Sequence, residues 1–240
     1  MKERDLDVSF IIPALNEEKN LGAVVKRIAD IAGGLEIGFE MIIIDDGSHD
    51  NTYHIANNLA GKHSEVIVVR NSCNHGKGHA LQEGLSKARG EVIVTIDADG
   101  QHVPEEIPRL LQPILKDEAD VVIGSRFLEE RNNIPFRHFL GNKVTVFLFN
   151  FLFNSSFTDV LLGFRAFRRD VPCRIGMMSR GYLIEIEMLR NALREKVKIA
   201  EVPMTCLYPK KSSVFRGIIT TTEIILGLFY LRLSSWLNKA

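Results

Sequence analysis

Five short runs rich in β-branched and apolar residues, Val8 to Ile12, Glu40 to Ile44, Val66 to Arg70, Val92 to Ile96 and Val121 to Ile123, alternate with amphipathic stretches. The stretches are Leu21 to Ile31, Thr52 to Leu59, Ala80 to Ala88 and Glu105 to Leu115. Runs that are apolar on both faces belong in a sheet covered on both sides. Their alternation with helices predicts a doubly wound α/β domain, a mainly parallel sheet flanked by helices, with its ligand beyond the C-terminal strand ends. At 240 residues and 45% apolar composition the chain can bury such a core, and disordered and disulfide-scaffold classes are excluded.

Polar, Gly and Pro residues concentrate where that architecture puts a ligand. Pro13 to Glu17 follows the first run, Asp45 to Asp50 the second, Asn71 to Lys77 the third and Asp97 to His102 the fourth. Asp97-Ala98-Asp99 closes an apolar strand, so two carboxylates can face a hard divalent cation, Mg2+ or Mn2+, with Gln101 as a further oxygen donor. Asp50 and Thr52 read as helix-capping residues. Asp45 and Asp46 are adjacent acids at a strand end that need a ligand or cations to offset their repulsion. Asn74 to Gly78 can bring backbone amides and Lys77 to a phosphate, although its spacing matches neither of the common glycine-rich phosphate loops.

Beyond Gly124 the pattern changes. Val144 to Phe157 holds five Phe, and Ile218 to Leu237 is a long apolar stretch interrupted by Glu223 and Arg232. The first is short for a membrane span and the second carries charge. Arg216, Thr220, Glu223, Gly227, Tyr230 and Ser234 recur at helical spacing and leave a wide apolar face, suited to a membrane interface or, alternatively, to this protein's own core or a homo-oligomer contact. Net charge is zero, which does not suggest nucleic-acid binding, but residues 1 to 125 hold 12 basic and 21 acidic side chains against 18 and 9 in the remainder. The later half is suited to an anionic partner. Three scattered cysteines and a charged N-terminus running straight into a strand predict reduced thiols and a cytoplasmic start.

Six motifs occur in order: Pro13-Ala14-Leu15-Asn16-Glu17-Glu18; Asp45-Asp46-Gly47-Ser48 with Asp50 and Thr52; Asn74 with Gly76-Lys77-Gly78 and Ala80; Asp97-Ala98-Asp99-Gly100-Gln101-His102 with Pro104; Gly124-Ser125-Arg126-Phe127; and Asp159 with Gly163-Phe164-Arg165. Together they resemble glycosyltransferase family 2, in particular its dolichol-phosphate mannose synthase and dolichol-phosphate glucosyltransferase group, over about residues 8 to 216. The resemblance implies a GT-A (Rossmann-like nucleotide-diphospho-sugar transferase) fold, with a catalytic domain over 1–213 and an amphipathic interface helix over 214–240. It implies that Pro13, Leu15, Glu17, Asp45 and Asp46 hold the nucleoside of a nucleotide sugar, with Lys77, Asp97 and Ala98 also on the donor side. Asp97, Asp99 and Gln101 then bind the metal, and Asp99, Arg126 and Asp159 are catalytic. Arg126, Arg137, Lys210 and Lys211 then meet the acceptor phosphate. Many relatives carry an arginine and a Gly-x-Ser-Lys sequence where this chain reads Tyr208 to Arg216, so lysine point charges replace a bidentate fork there.

The reaction so implied is inverting transfer of a sugar, mannose from GDP-mannose or else glucose or N-acetylglucosamine from UDP, to dolichyl or another polyprenyl phosphate, peripherally at the cytoplasmic face of a membrane. A phosphate acceptor is already anionic and needs positioning more than a strong base. A transferase to a saccharide hydroxyl would need Asp159 or Glu185 as base. A binding subunit with lost chemistry is opposed by the retained Asp97, Asp99 and Gln101.

Overall fold

The computed structural model describes residues 7–129, 134–176, 179, 181, 183–208 and 214–237, with the side chains of residues 137, 214–221 and 234–237 not described. Strands β1 (Val8–Ala14), β2 (Phe39–Asp45), β3 (Val66–Arg70), β4 (Val92–Thr95), β5 (Val121–Ser125), β6 (Arg165–Arg168) and β7 (Ile199–Pro203) form one sheet in the order β3-β2-β1-β4-β6-β5-β7. The five sequence-predicted strands are all present. The sheet is mixed, because β6 pairs antiparallel with both β4 and β5, while the other pairings are parallel.

The helices are α1 (Leu21–Gly34), α2 (Thr52–Ala60), α3 (Lys77–Lys87), α4 (Ile107–Leu115), α5 (Phe136–Phe153), α6 (Val171–Ile175), α7 (Ile184–Arg194) and α8 (Val214–Leu237). Strand alternation sorts the core into two layers. Phe10, Ile12 and Ala14 of β1 join the inner faces of α1, α2 and α4, whereas Ile11 joins α3, α5, α7 and α8 on the opposite side. From β1 the chain runs outward to β3 and then crosses back to β4 on the other flank of β1. The β1/β4 boundary is therefore the switch point, where a doubly wound sheet opens its ligand crevice.

Helix α5 begins eight residues before the Phe-rich run and stops at Asn154, whose φ of 50° is left-handed. The Asn150 side chain closes that end, donating to the Phe157 carbonyl and accepting from the Ser155 hydroxyl and the Phe157 amide. Helix α8 packs against α5 and buries Ile224, Leu228 and Leu231 in the second core layer. Gly227 faces inward too, since a Cβ there would meet Leu183 at 2.6 Å. The polar stripe expected along this helix is thus broken at Gly227. Its outward face instead combines Glu223 and Arg232 with exposed Leu226, Phe229, Tyr230 and Leu233.

Candidate active site

The loop after β1 is zipped to the loop after β2. The Asn16 amide donates to Ser48 Oγ at 2.9 Å, the Glu17 amide to Thr52 Oγ1 at 2.7 Å, and the His49 amide to Asn16 Oδ1 at 2.9 Å. Asp50 accepts the Thr52 amide at 2.9 Å just before α2, but the N-cap position falls on Asn51 and carries no side-chain cap bond, so the capping reading of Asp50 and Thr52 is corrected. Both neighbouring acids have partners within the chain, although Asp45 Oδ2 accepts no hydrogen bond among the described residues. Asp45, fully buried, faces Arg70 at 3.5 Å and accepts the Ser48 amide at 3.2 Å. Asp46 accepts the Asn71 side-chain amide and the backbone amides of His75 and Gly76, at 2.8–3.1 Å, so its carboxylate organises the loop after β3. Gly47, at φ 75°, lets that loop approach: a Cβ there would lie 2.5 Å from the Cys73 backbone.

These loops border a crevice of about 350 Å³ whose walls include Pro13, Leu15, Glu17, Asp46, Lys77, Asp97, Ala98 and Asp99. Sequence reasoning thus named most of one continuous surface. Asp45 lies beneath it rather than on it. Lys77 opens α3 and sets its ammonium 2.7 Å from Asp97 Oδ1, 2.8 Å from Asp97 Oδ2 and 2.8 Å from Glu185 Oε1. Burial disfavours a charged lysine, yet the two carboxylates prevail and raise its pKa. Gly163 permits the contact, because a Cβ would sit 2.6 Å from Lys77 Nζ and 3.2 Å from Asp97 Oδ2.

Asp99 accepts the Gln101 amide at 2.9 Å, and burial together with the Asp97 charge pushes its carboxyl up to about 6. Glu17 is likewise raised, by burial and then by Asp50 and Asp97. His102, stacked on Phe164, accepts the Asp97 amide at Nδ1, and burial lowers its pKa to about 4, so it adds no positive charge at neutral pH. The crevice therefore holds more carboxylate charge than Lys77 balances. Hard oxygen donors in such excess fit Mg2+ or Mn2+ held by one or two carboxylates and completed by substrate phosphates. Among the described residues no group of three or more His, Cys, Asp and Glu is placed to hold an ion unaided. Gln101 is turned elsewhere: its Oε1 lies 3.8 Å from the Cys206 thiol, and its carbonyl accepts the Leu207 amide.

A second constellation stands at the end of β5. Arg126 donates from Nε and Nη2 to the two oxygens of buried Asp159, at 2.7 and 2.9 Å, and from Nη1 to the Tyr208 hydroxyl at 3.3 Å. Burial opposes ionisation of Asp159, but Arg126 outweighs it and holds the carboxyl below its usual range. Glu201 fixes the segment by accepting from the Thr158 amide and hydroxyl and from the Asp159 amide. Tyr208, Glu201 and Thr158 escaped sequence reasoning because their partners lie tens of residues away. Arg165 escaped in its structural role. Its guanidinium, 2% exposed, donates to the carbonyls of Leu162, Glu185 and Val160 and is pulled down to about 10 by burial. Arg137 opens α5 with its side chain outside the described set, and Lys210 and Lys211 lie outside the described residues.

A crevice of carboxylates and one lysine at the switch point of a mostly parallel sheet is the arrangement expected of a GT-A glycosyltransferase. The family model for glycosyl transferase family 2 matches residues 9–173, and the chain belongs to that family. It is 33% identical to the UDP-N-acetylglucosamine–dolichyl-phosphate N-acetylglucosaminyltransferase of Methanococcus voltae, over 93% of each chain. It is 34% identical to the dolichol-phosphate mannosyltransferase of Pyrococcus furiosus, over 83% of this chain and 56% of that one. Glucosyl-3-phosphoglycerate synthase from Mycobacterium tuberculosis, solved with Mn2+, UDP and phosphoglyceric acid, superposes with a TM-score of 0.74 at 23% identity, over 94% of this chain and 78% of that one. That likeness establishes the fold.

Proposed function

We propose that this chain transfers a hexosyl group from a nucleoside diphosphate sugar to dolichyl or another polyprenyl phosphate, with inversion, at the cytoplasmic face of a membrane. One observation carries the reading beyond family membership: the carboxylates that a hydroxyl acceptor would need as base are both occupied by cations. Asp159 is held by both arms of Arg126, and Glu185 faces Lys77. An acceptor that arrives already anionic needs no base, only placement and charge compensation. The acceptor phosphate oxygen bonds to the anomeric carbon as the bond to the diphosphate breaks, so the charge passes to the leaving nucleoside diphosphate.

Pro13, Leu15, Glu17 and Asp46 form the nucleoside side of the crevice, and Lys77 faces the diphosphate. Asp97 and Asp99 would hold Mg2+ or Mn2+, which when bound supplies charge stabilisation to the departing diphosphate. Arg126 positions the acceptor phosphate, with Asp159 and Tyr208 orienting its guanidinium. The outward faces of α5 and α8 support a lipid surface as partner. Phe136, Leu140, Phe147 and Phe151 make one apolar stripe on α5, the outermost 76% exposed, beside Leu226, Phe229 and Leu233 of α8. No helix among the described residues is long and apolar enough to cross a membrane.

The deciding assay incubates the protein with Mg2+ or Mn2+, a polyprenyl phosphate and labelled GDP-mannose, UDP-glucose or UDP-N-acetylglucosamine, then counts label extracted into organic solvent. Transfer from one donor, lost in Asp99→Ala, is the expected result and names the sugar. No extractable label from any donor, with transfer to a saccharide hydroxyl instead, overturns the acceptor.

A further inference from the structure

We propose that Glu185 is a positioning residue that takes over the Lys77 ammonium when a divalent cation occupies Asp97. The inference rests on Asp97 being a cation ligand. Lys77 holds both oxygens of Asp97 at 2.7 and 2.8 Å while also standing 2.8 Å from Glu185 Oε1. A divalent ion on Asp97 repels an ammonium in van der Waals contact with the same carboxylate, so Lys77 must give up at least part of that pairing. Its retreat is confined. Gly163 packs against Nζ on one side, leaving no room even for a Cβ. On the other side lies Glu185, in the first turn of α7 and 5% exposed, where a helix N-terminus favours negative charge.

Apart from the Lys77 ammonium, neither carboxylate oxygen of Glu185 has a hydrogen-bond partner among the described residues. A buried carboxylate with one partner is costly unless that partner is held fully. A cavity of about 20 Å³ opens beside it, walled mainly by apolar side chains such as Leu81, Phe167 and Met188, with Thr95, Arg165 and Glu185 as its polar members. Arg165 makes no hydrogen bond to the Glu185 carboxylate, its guanidinium donating to backbone carbonyls, and acts on Glu185 through its charge alone. Lys77 is thus a resident cation with two seats, and Glu185 reduces the cost of vacating the one a metal needs.

The test measures Mn2+ binding to the full chain by loss of the free-ion electron paramagnetic resonance signal, with circular dichroism as the folding control. Wild type is compared with Glu185→Gln and with the pair Lys77→Met and Glu185→Gln, which removes both charges and leaves neither unpaired. In Glu185→Gln, Lys77 stays on Asp97, and Mn2+ affinity falls about tenfold or more. In the double variant the competitor is gone, and affinity returns to the wild-type value or exceeds it. Unchanged affinity in Glu185→Gln, or a double variant no better than the single one, overturns the proposal. If the single variant does not fold, the double variant against wild type decides, equal or tighter binding supporting and weaker binding overturning it. Wild type that takes up no Mn2+ removes the cation reading of Asp97 and this inference together, whereas binding without the expected separation removes this inference alone.

Discussion

At the scale of single residues, the crevice is built against its own electrostatics. With the Asp99 carboxyl pushed up to about 6, the folded chain holds that proton more tightly than the unfolded chain, whose ordinary value is 3.8. Ionising Asp99 therefore costs folded-state stability in full above pH 6, progressively less between 6 and 4, and nothing below. Asp99→Asn is expected to stabilise the metal-free protein by on the order of 2 kcal/mol at pH 8, and by much less at pH 4.5, in chemical denaturation with a chelator present. An equal effect at both pH values refutes the charge argument. The sequence displayed Asp97 and Asp99 openly, because a carboxylate pair ending an apolar strand has few structural uses. It did not display that Arg70 faces Asp45 or that the amides of residues 75 and 76 are held by Asp46, since those partners come from a neighbouring strand and loop. Nor did it pair Lys77 with Glu185, residues more than a hundred positions apart.

Among the elements, the first five strands were legible because each is a compact β-branched run bounded by turn residues. Strand β6 was not. Its four residues, Arg165-Ala166-Phe167-Arg168, set two apolar side chains between two cations and hold no β-branched residue. The carbonyls of Val160, Leu162 and Glu185, gathered by tertiary folding with the carboxylates of Glu185, Asp159 and Asp97 nearby, make a buried Arg165 tolerable. Helix α5 shows the converse. Its Phe residues were plain in the sequence, but which of them face outward depends on the neighbours: Phe149 is buried against Phe153 and Phe157, while Phe147 and Phe151 stack on each other in the open. Replacing Phe147 and Phe151 by Glu is expected to change unfolding free energy by less than about 1 kcal/mol, as exposed positions usually do. The same pair is expected to reduce co-flotation with anionic liposomes by about tenfold or more. Loss of stability without loss of flotation would reassign the stripe to packing.

For the whole molecule, the matched family region ends at residue 173, yet the site draws Glu185, Glu201, Cys206 and Tyr208 from beyond it. The same later part of the chain closes the second core layer through α7 and α8. Ending the chain after residue 213 strips the burial partners of Leu183 and the Ile224, Leu228 and Leu231 contacts, each worth about 1.5–3 kcal/mol. The truncated chain is expected to melt far below the full one or to precipitate, as differential scanning fluorimetry would register. A melting temperature unchanged by the deletion would make α8 an appendage rather than a wall of the core. Strand β6 has one more effect, on reach. Neighbouring strands stand about 4.8 Å apart, so its insertion between β4 and β5 roots the Asp97 loop and the Arg126 loop about 10 Å from each other. Backbone spacing, which side-chain substitution does not alter, thus fixes how far apart the leaving and the attacking anion are anchored on the proposed reading, while both reach the same anomeric carbon.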